Sequence, residues 1–279
     1  MAGTFGATLL ESDRRMAVRV EIVPCLRDNY AYVLIDEATR EAVVIDPSEA
    51  APIERAVEAA GVRLTHLWAT HHHHDHVGGA EALARRHDVR LLVHEVDAAH
   101  VRTLGPRIDV AKDTDRWSFH GATIELLHVP GHTLGAAAFA VTQPEALPWI
   151  FTGDTLFLGG CGRVFEGTAA MLRASVERIA GFAPESLVYC GHEYTEANLQ
   201  FARVVEPENE AVVEALARAK AATCTVPGRM TIERVVNPFL RAQEPSARRF
   251  AEGHACDAID SADAVFATLR SAKNNFRAS

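Results

Sequence analysis

The chain of 279 residues lacks any apolar run long enough to cross a bilayer, although 48% of its residues are hydrophobic. A membrane-spanning helix needs roughly 20 consecutive apolar residues, so we expect no membrane partner. Basic residues are also few relative to acidic ones, and the net charge is −9. Because an acidic chain repels phosphate backbones, we expect no nucleic-acid partner either.

Cysteine is scarce as well: the chain has five cysteines, which is an odd number, and they are widely spaced. They are Cys25, Cys161, Cys190, Cys224 and Cys256. This pattern excludes a disulfide framework and indicates reduced thiols, so we expect a cytoplasmic protein. Residues 1–15 have no apolar core of the kind that a secretory signal needs, and we assign them to an N-terminal extension. Met1 and Met16 both stay open as the natural start.

Residues 70–76 read Thr-His-His-His-His-Asp-His and are the most informative segment. An apolar, strand-like run at 64–69 precedes them and a helix-like run at 78–86 follows, which indicates a strand-to-helix junction. Imidazole and carboxylate ligands without thiolate suit a catalytic zinc, iron, cobalt or manganese site rather than a structural zinc site. The alternatives are a tag or a metal-scavenging tract, but neither explains an internal position after an apolar strand.

Three further apolar runs each end in a glycine that is followed by a possible ligand. Residues 126–131 precede His132, residues 149–153 precede Asp154, and residues 186–191 precede His192. Glycine permits the sharp turn that a ligand loop needs at a strand end. Because strand ends in α/β sheets meet where ligands bind, we expect all four segments to form one site.

These residues suffice for two metal ions that share one carboxylate. The predicted ligands are His71, His73, His132 and Asp154 for the first ion, and Asp75, His76, His192 and the same Asp154 for the second. Two cations about 3.5 Å apart lower the pKa of a shared water, which then serves as the nucleophile in hydrolysis. We predict Asp75 and Asp154 as catalytic carboxylates. The expected cofactors are two divalent ions, zinc first, with iron or manganese as alternatives.

The motif from His71 to His76, followed in order by His132, Asp154 and His192, resembles the metallo-β-lactamase superfamily. Further segments resemble its glyoxalase II (hydroxyacylglutathione hydrolase) branch over about residues 18–276. These segments are 28–30, 44–47, 70–79, 130–133, 151–157, 160–163, 166–168, 191–195 and 237–241. The His-x-His-x-Asp-His pattern is specific to the superfamily only. The Gly-Cys-Gly-Arg and Gly-His-Glu-Tyr segments and the C-terminal region narrow the resemblance to the branch.

The resemblance implies an α/β (α+β) fold, in which a metallo-β-lactamase αββα sandwich is followed by a C-terminal helical domain. We place the catalytic domain at 16–192 and the substrate-binding helical domain at 193–279. The residue pattern agrees, because short Val/Ile/Leu-rich strands give way to Ala/Glu/Arg-rich helical segments after residue 193. The predicted helices are 52–60, 169–179, 196–205, 208–222, 246–255 and 262–272, with a loop around 226–228.

The resemblance also implies hydrolysis of the thioester of S-D-lactoylglutathione to glutathione and D-lactate, the second step of methylglyoxal detoxification. The implied glutathione contacts are Arg163, Phe165, Tyr194, Arg270 and Lys273. Arginine and lysine bind the carboxylates of glutathione through charge-assisted hydrogen bonds. Relatives often have tyrosine where Phe165 stands, so a hydroxyl contact is missing and a lower glutathione affinity is expected. A solvated helix face is the alternative role for Arg270 and Lys273.

Two other activities stay open on this fold. A glutathione persulfide dioxygenase is an oxidoreductase with one iron on two histidines and one aspartate, and another hydrolase such as a β-lactamase would lack the C-terminal helices. Asp46 either orients a ligand histidine or shapes the turn before Pro47. The expected partner is a small glutathione thioester, and the expected oligomeric state is a monomer.

Overall fold

The computed structural model describes residues 18–182, 184–255 and 258–278. The predicted N-terminal extension, Met16 and Cys256 lie outside the described residues. Two mixed six-stranded sheets pack face to face, and helices cover their outer faces. The predicted αββα sandwich is therefore confirmed. Among the described helices, none is long and apolar enough to cross a membrane.

The first sheet has the strand order β1-β2-β3-β4-β5-β6. Its strands are β1 (Val18–Cys25), β2 (Asn29–Asp36), β3 (Glu41–Ile45), β4 (Arg63–Trp68), β5 (Arg90–His94) and β6 (Ile108–Ala111). In β2, Tyr32 and Leu34 pack against the second sheet, whereas Val33 and Ile35 pack under the outer helices. Both faces of the strand are buried, which explains why its sequence is continuously apolar and does not alternate with polar residues.

The outer face of the first sheet is covered by α1 (Ala50–Ala60) and α3 (Ala80–His87), while the single turn α2 (His74–Val77) lies at the sheet edge. Ile53 of α1 and Leu83 of α3 are fully buried there. Complete burial of such a side chain contributes about 1.5–3 kcal/mol. Two short 3₁₀ helices, Asp97–Ala99 and Arg102–Arg107, connect β5 to β6. This packing fixes the segment between β4 and α3 that contains the histidine cluster.

The second sheet has the order β14-β13-β10-β9-β8-β7. Its strands are β7 (Arg116–Phe119), β8 (Ala122–His128), β9 (Ala137–Thr142), β10 (Trp149–Gly153), β13 (Leu187–Cys190) and β14 (Gly228–Arg229), and a separate hairpin joins β11 (Leu156–Phe157) to β12 (Gly160–Cys161). Strands β10 and β13 are parallel, with Gly153 opposite Cys190. Their carboxyl ends therefore lie side by side, and Asp154 and His192 follow them directly.

The remaining helices are α4 (Ala169–Phe182), α5 (Thr195–Val205), α6 (Glu210–Ala221), α7 (Met230–Val236), α8 (Pro245–His254) and α9 (Ala262–Asn275). The predicted helices are confirmed to within a few residues at each end. The predicted loop at 226–228 is wrong in part, because Gly228 pairs with Val188 as an edge strand and α7 begins directly afterwards. The open edge of β13 explains the difference, since its main chain accepts a partner that has no strand-like sequence of its own.

Candidate metal centre and substrate cavity

The segments that contain the predicted ligands all leave their strands at one end of the sandwich. His71 follows β4, His132 follows β8, Asp154 follows β10 and His192 follows β13. Gly153 has a φ of 47°, and a Cβ at this position would lie 2.3 Å from Thr70 Oγ1. Glycine is required there because a side chain would strain the backbone and strike the histidine loop. The predicted strand-end arrangement is thus present.

The first cluster consists of three imidazoles. His73 Nδ1 lies 3.1 Å from His71 Nε2 and 3.0 Å from His132 Nε2, and His71 and His132 are buried. Burial, together with the neighbouring histidine rings, holds the pKa of His71 well below its ordinary value. Burial also lowers the pKa of His73 and of His132. Neutral rings present lone pairs, which is the form in which histidine binds a metal.

The second cluster joins Asp75, His76 and His192. His192 Nε2 lies 3.3 Å from Asp75 Oδ2 and His76 Nε2 lies 3.8 Å from the same oxygen. Although burial opposes it, hydrogen bonds with Asp154 and Asp75 raise the pKa of His192 to about 10. The hydrogen bond with His192 holds the pKa of Asp75 well below its ordinary value. The carboxylates of Asp75 and Asp154 therefore favour a positive charge in this cluster.

Asp154 lies between the two clusters and contacts both. Its Oδ2 is 3.5 Å from His132 Nε2 and 3.4 Å from His192 Nε2, and its Oδ1 is 3.3 Å from His76 Nε2. Burial alone would raise the pKa of Asp154, but the charge of His76 and the hydrogen bond with His192 hold it well below its ordinary value. An ionised carboxylate in this position is the group expected to bridge two cations.

Two atoms of this centre show that the donor set fits a metal. His76 Nε2 and Asp154 Oδ1 are both buried and have no hydrogen-bond partner among the described residues. Buried polar atoms are nearly always paired, and a cation coordinated by both would supply the missing partner. His71, His76 and Asp154 also form a group whose ligand atoms lie within 4.8 Å of one another. Imidazole and carboxylate donors without sulfur are those expected of a catalytic metal site.

Three of the proposed ligand imidazoles are each held on the side away from the centre by an oxygen. His76 Nδ1 contacts Asp46 Oδ2 at 2.9 Å and His192 Nδ1 contacts Asp28 Oδ1 at 2.8 Å. His132 Nδ1 donates to the carbonyl of Arg163 at 2.8 Å. These contacts place the proton on Nδ1 and turn Nε2 toward the centre. For Asp46 both predicted roles are realised, since its backbone also adopts a φ of 52° in the turn before Pro47.

A cavity of about 770 Å³ opens from this centre. Its lining includes proposed ligand residues such as His73, Asp75 and His192. It also includes the predicted glutathione contacts, which are Arg163, Phe165, Tyr194, Arg270 and Lys273. The residues predicted for the site all line this cavity except His71 and His76, which are buried. Its dimensions match those of small-molecule sites in general, which are roughly 300–1,000 Å³.

The two aromatic residues lie where the cavity meets the centre. Phe165 is 61% exposed, and its ring contacts His73 and His132 edge-on with centroids 5.5 Å and 5.2 Å away. The ring of Tyr194 stacks on His192 at 4.7 Å, and burial raises its pKa to about 12. Phe165 therefore supplies packing without a hydrogen-bonding group, whereas Tyr194 keeps its phenolic proton and can donate.

Three residues of the centre were given no role by sequence reasoning. Asp28 supports His192, Asn29 donates from Nδ2 to Asp75 Oδ2 at 3.2 Å, and His72 lies between Asp97 and Glu166 at 3.1 Å and 3.2 Å. Asp28 and Asn29 belong to a segment quoted for the family resemblance, which was the only available signal. No local pattern places Asp28 opposite a residue 164 positions away.

Comparison with known proteins agrees with this geometry. The model of the metallo-beta-lactamase superfamily matches residues 27–192, and that of the hydroxyacylglutathione hydrolase C-terminus matches residues 193–276. The hydroxyacylglutathione hydrolase of Pseudomonas aeruginosa (strain LESB58) is 38% identical over 264 residues, which cover 93% of this chain and 100% of that protein. The hydroxyacylglutathione hydrolase of Pseudomonas putida (strain KT2440) is 41% identical over 265 residues, with 93% and 100% covered.

A solved structure supports the fold. The metallo-beta-lactamase from Staphylococcus aureus subsp. aureus COL superposes with a TM-score of 0.65 at 18% identity, covering 92% of this chain and 71% of that chain. At this identity the likeness concerns the fold alone. The family models, the curated relatives and the clustered histidines and aspartates together support binding of divalent metal. The chain belongs to the hydroxyacylglutathione hydrolase (glyoxalase II) family of the metallo-β-lactamase superfamily.

Proposed function

We propose that the chain hydrolyses the thioester of S-D-lactoylglutathione to glutathione and D-lactate, as the second step of methylglyoxal detoxification. The observation that carries the proposal is a single cavity lined both by a metal-binding centre and by basic side chains. A thioester of glutathione has the matching groups, because it combines a reactive carbonyl on the cysteine sulfur with a carboxylate on each of the two flanking residues. The curated relatives are named for this reaction.

For the metals, we propose two divalent ions per chain. His71, His73 and His132 would hold the first, and Asp75, His76 and His192 the second, with Asp154 shared. We propose zinc, while iron and manganese accept the same donors. When bound, two such ions supply Lewis acidity, which activates a water for attack and polarises the thioester carbonyl.

The protein residues hold this centre in position and orient the reactants. Asp46, Asp28 and the carbonyl of Arg163 keep three imidazole rings turned inward. Asp75 is ionised and its side chain is 42% exposed. Its carboxylate can accept a hydrogen bond from the attacking water and so orient it, which is the catalytic role that we propose for it. For Asp154 we propose a catalytic role in keeping the two clusters at a fixed separation.

Within the same cavity, we propose that Arg163, Arg270 and Lys273 attract the carboxylates of glutathione. Tyr194 would donate a hydrogen bond and Phe165 would pack against the peptide. We also propose that the protein acts as a cytoplasmic monomer with a catalytic domain to residue 192 and a helical domain from 193. The cavity is complete within one chain, and the described thiols Cys25, Cys161, Cys190 and Cys224 are free.

The test is a thioesterase assay combined with metal analysis. Purified protein is incubated with S-D-lactoylglutathione, the loss of thioester absorbance is followed, and bound metal per chain is determined. We expect rapid turnover with about two ions per chain, and loss of both activity and one ion in Asp154→Ala. A fully loaded protein without turnover would contradict the proposal. Oxygen uptake with glutathione persulfide is then the next assay, since it tests the dioxygenase alternative.

A further inference from the structure

Part of the basic lining of the cavity is already engaged within the protein. Arg270 is only 6% exposed, and its Nη1 donates to the carbonyl of Cys161 at 2.7 Å. Lys273 Nζ donates to the carbonyl of Ala197 at 2.7 Å, and the residue is half-buried. Arg270 thereby connects α9 to the hairpin of β11 and β12, Lys273 connects α9 to α5, and both side chains also line the cavity. Some of their hydrogen-bonding capacity is therefore unavailable to a ligand.

Arg163 and Arg277 line the same cavity, but their side chains, unlike those of Arg270 and Lys273, are not hydrogen-bonded within the protein in the described ranges. Both residues are exposed, and in the ranges that the structure describes their guanidinium groups have no carboxylate or carbonyl partner. Elsewhere on this acidic chain, exposed arginines such as Arg85 form ion pairs, in that case with Glu81 at 2.8 Å. Two unpaired guanidinium groups on one cavity wall are thus available to an anionic ligand.

We propose that Arg277 binds a carboxylate of the glutathione moiety and is a specificity-determining residue of this enzyme. The inference rests on the proposed function and adds a residue to its substrate contacts. Arg277 lies two residues beyond the end of α9 and lines the cavity together with Arg163 and Phe165. A planar guanidinium binds a carboxylate through two parallel hydrogen bonds. This contact offsets the hydroxyl that Phe165 lacks.

The first test compares Arg277→Gln with the unmodified, metal-loaded full chain. We expect KM for S-D-lactoylglutathione to rise roughly 5-fold, as for loss of an exposed ion pair, while kcat and metal content stay unchanged. Arg203→Gln is the matched control, because Arg203 is exposed on α5 and does not line this cavity. An unchanged KM in Arg277→Gln, or an equal rise in both variants, would overturn the inference.

The second test asks which group Arg277 contacts. Two altered substrates are used, the lactoyl thioester of glutathione glycine ethyl ester and that of 4-aminobutyryl-cysteinylglycine, and each lacks one carboxylate. If Arg277 binds the missing carboxylate, the substitution and the substrate change are not additive in kcat/KM. Full additivity with both substrates would refute the contact.

Calorimetric binding of free glutathione separates this inference from the proposed function. A protein without thioesterase activity contradicts the proposed function alone. Weaker glutathione binding in Arg277→Gln than in Arg203→Gln still supports the role of Arg277, and equal binding in the two variants removes it.

Discussion

Replacing Gly191 with alanine tests whether the backbone of β13 fixes the geometry of the metal centre. Gly191 N donates to the carbonyl of Gly153 at 2.9 Å, and Tyr30 N donates to the carbonyl of Gly191 at 2.9 Å. The strand end is therefore held on both sides and cannot move away. A Cβ at Gly191 would lie 2.4 Å from Asp154 Oδ1 and 2.7 Å from His76 Cε1. Because ordinary contact begins at 3.4 Å, the carboxylate would have to shift by about 1 Å.

A displacement of that size is large for a metal ligand. Coordination distances tolerate changes of only about 0.2 Å, so both Asp154 and His76 lose their positions relative to the other donors. Disturbing even an outer contact of a ligand typically weakens metal binding 10- to 100-fold. We therefore expect at least a roughly 100-fold loss of affinity for the ion proposed at Asp75, His76 and His192 in Gly191→Ala. Overpacking of this kind also destabilises a fold by about 1–3 kcal/mol.

The assay is a titration with a competing chelator, followed by metal analysis and initial rates with the thioester. Gly253→Ala is the control, because Gly253 lies in α8 and a Cβ there meets nothing within 4 Å. That variant should keep its metal and gain about 0.5–1 kcal/mol of stability, since alanine favours the helix. If Gly191→Ala holds metal and turns over as the unmodified protein does, the geometric reasoning is refuted.

Three further outcomes are expected. Burial and the charge of Arg270 lower the pKa of Lys273 to about 8, so this lysine is charged below that pH. KM should therefore rise several-fold from pH 7 to pH 9, and a KM that does not change with pH would exclude a role of Lys273 in binding. Burial raises the pKa of Glu233 to about 7, so ionisation of its carboxyl destabilises the fold by up to about 3 kcal/mol as pH rises from 4.5 through 7. Urea unfolding at pH 5 and pH 8 should show that Glu233→Gln removes this loss of stability, and an identical pH dependence in both proteins would contradict it. Phe165→Tyr should lower KM roughly 3-fold by adding a hydrogen bond, whereas an unchanged KM would show that no ligand group faces this position.

The clustering of the proposed ligand residues was predictable because its signals are local. His71 and His73 follow an apolar strand, and Asp154 and His192 each follow an apolar run that ends in glycine. Such patterns depend on a few neighbouring residues. The rule that strand ends meet at one edge of a sheet then predicts that the four segments converge on one site. The order of strands within the two sheets was not predicted, because the family resemblance supplied only the sandwich architecture.

Contacts between distant segments were not predictable in this way. Asp28 reaches His192 only because β2 and the end of β13 are brought together, as the bridge between Asn29 and His192 shows. The pairing of Arg270 with the carbonyl of Cys161 across 109 residues is of the same kind. A sequence pattern fixes which residues are available, but the partners of a hydrogen bond depend on the packing of whole elements.

The position of the ligands also implies that metal affinity and sheet packing are one property of this fold. Each cluster contains residues from both sheets. A strand of the first sheet precedes His71, His73 and Asp75, whereas strands of the second sheet precede His132 and His192. The two sets of donors are brought together only when the sheets pack. An ion that binds this arrangement and not the unfolded chain stabilises the sandwich, by about 2.7 kcal/mol when free metal is 100 times its dissociation constant. A substitution that loosens the contact between the sheets therefore weakens metal binding, even where it touches no ligand.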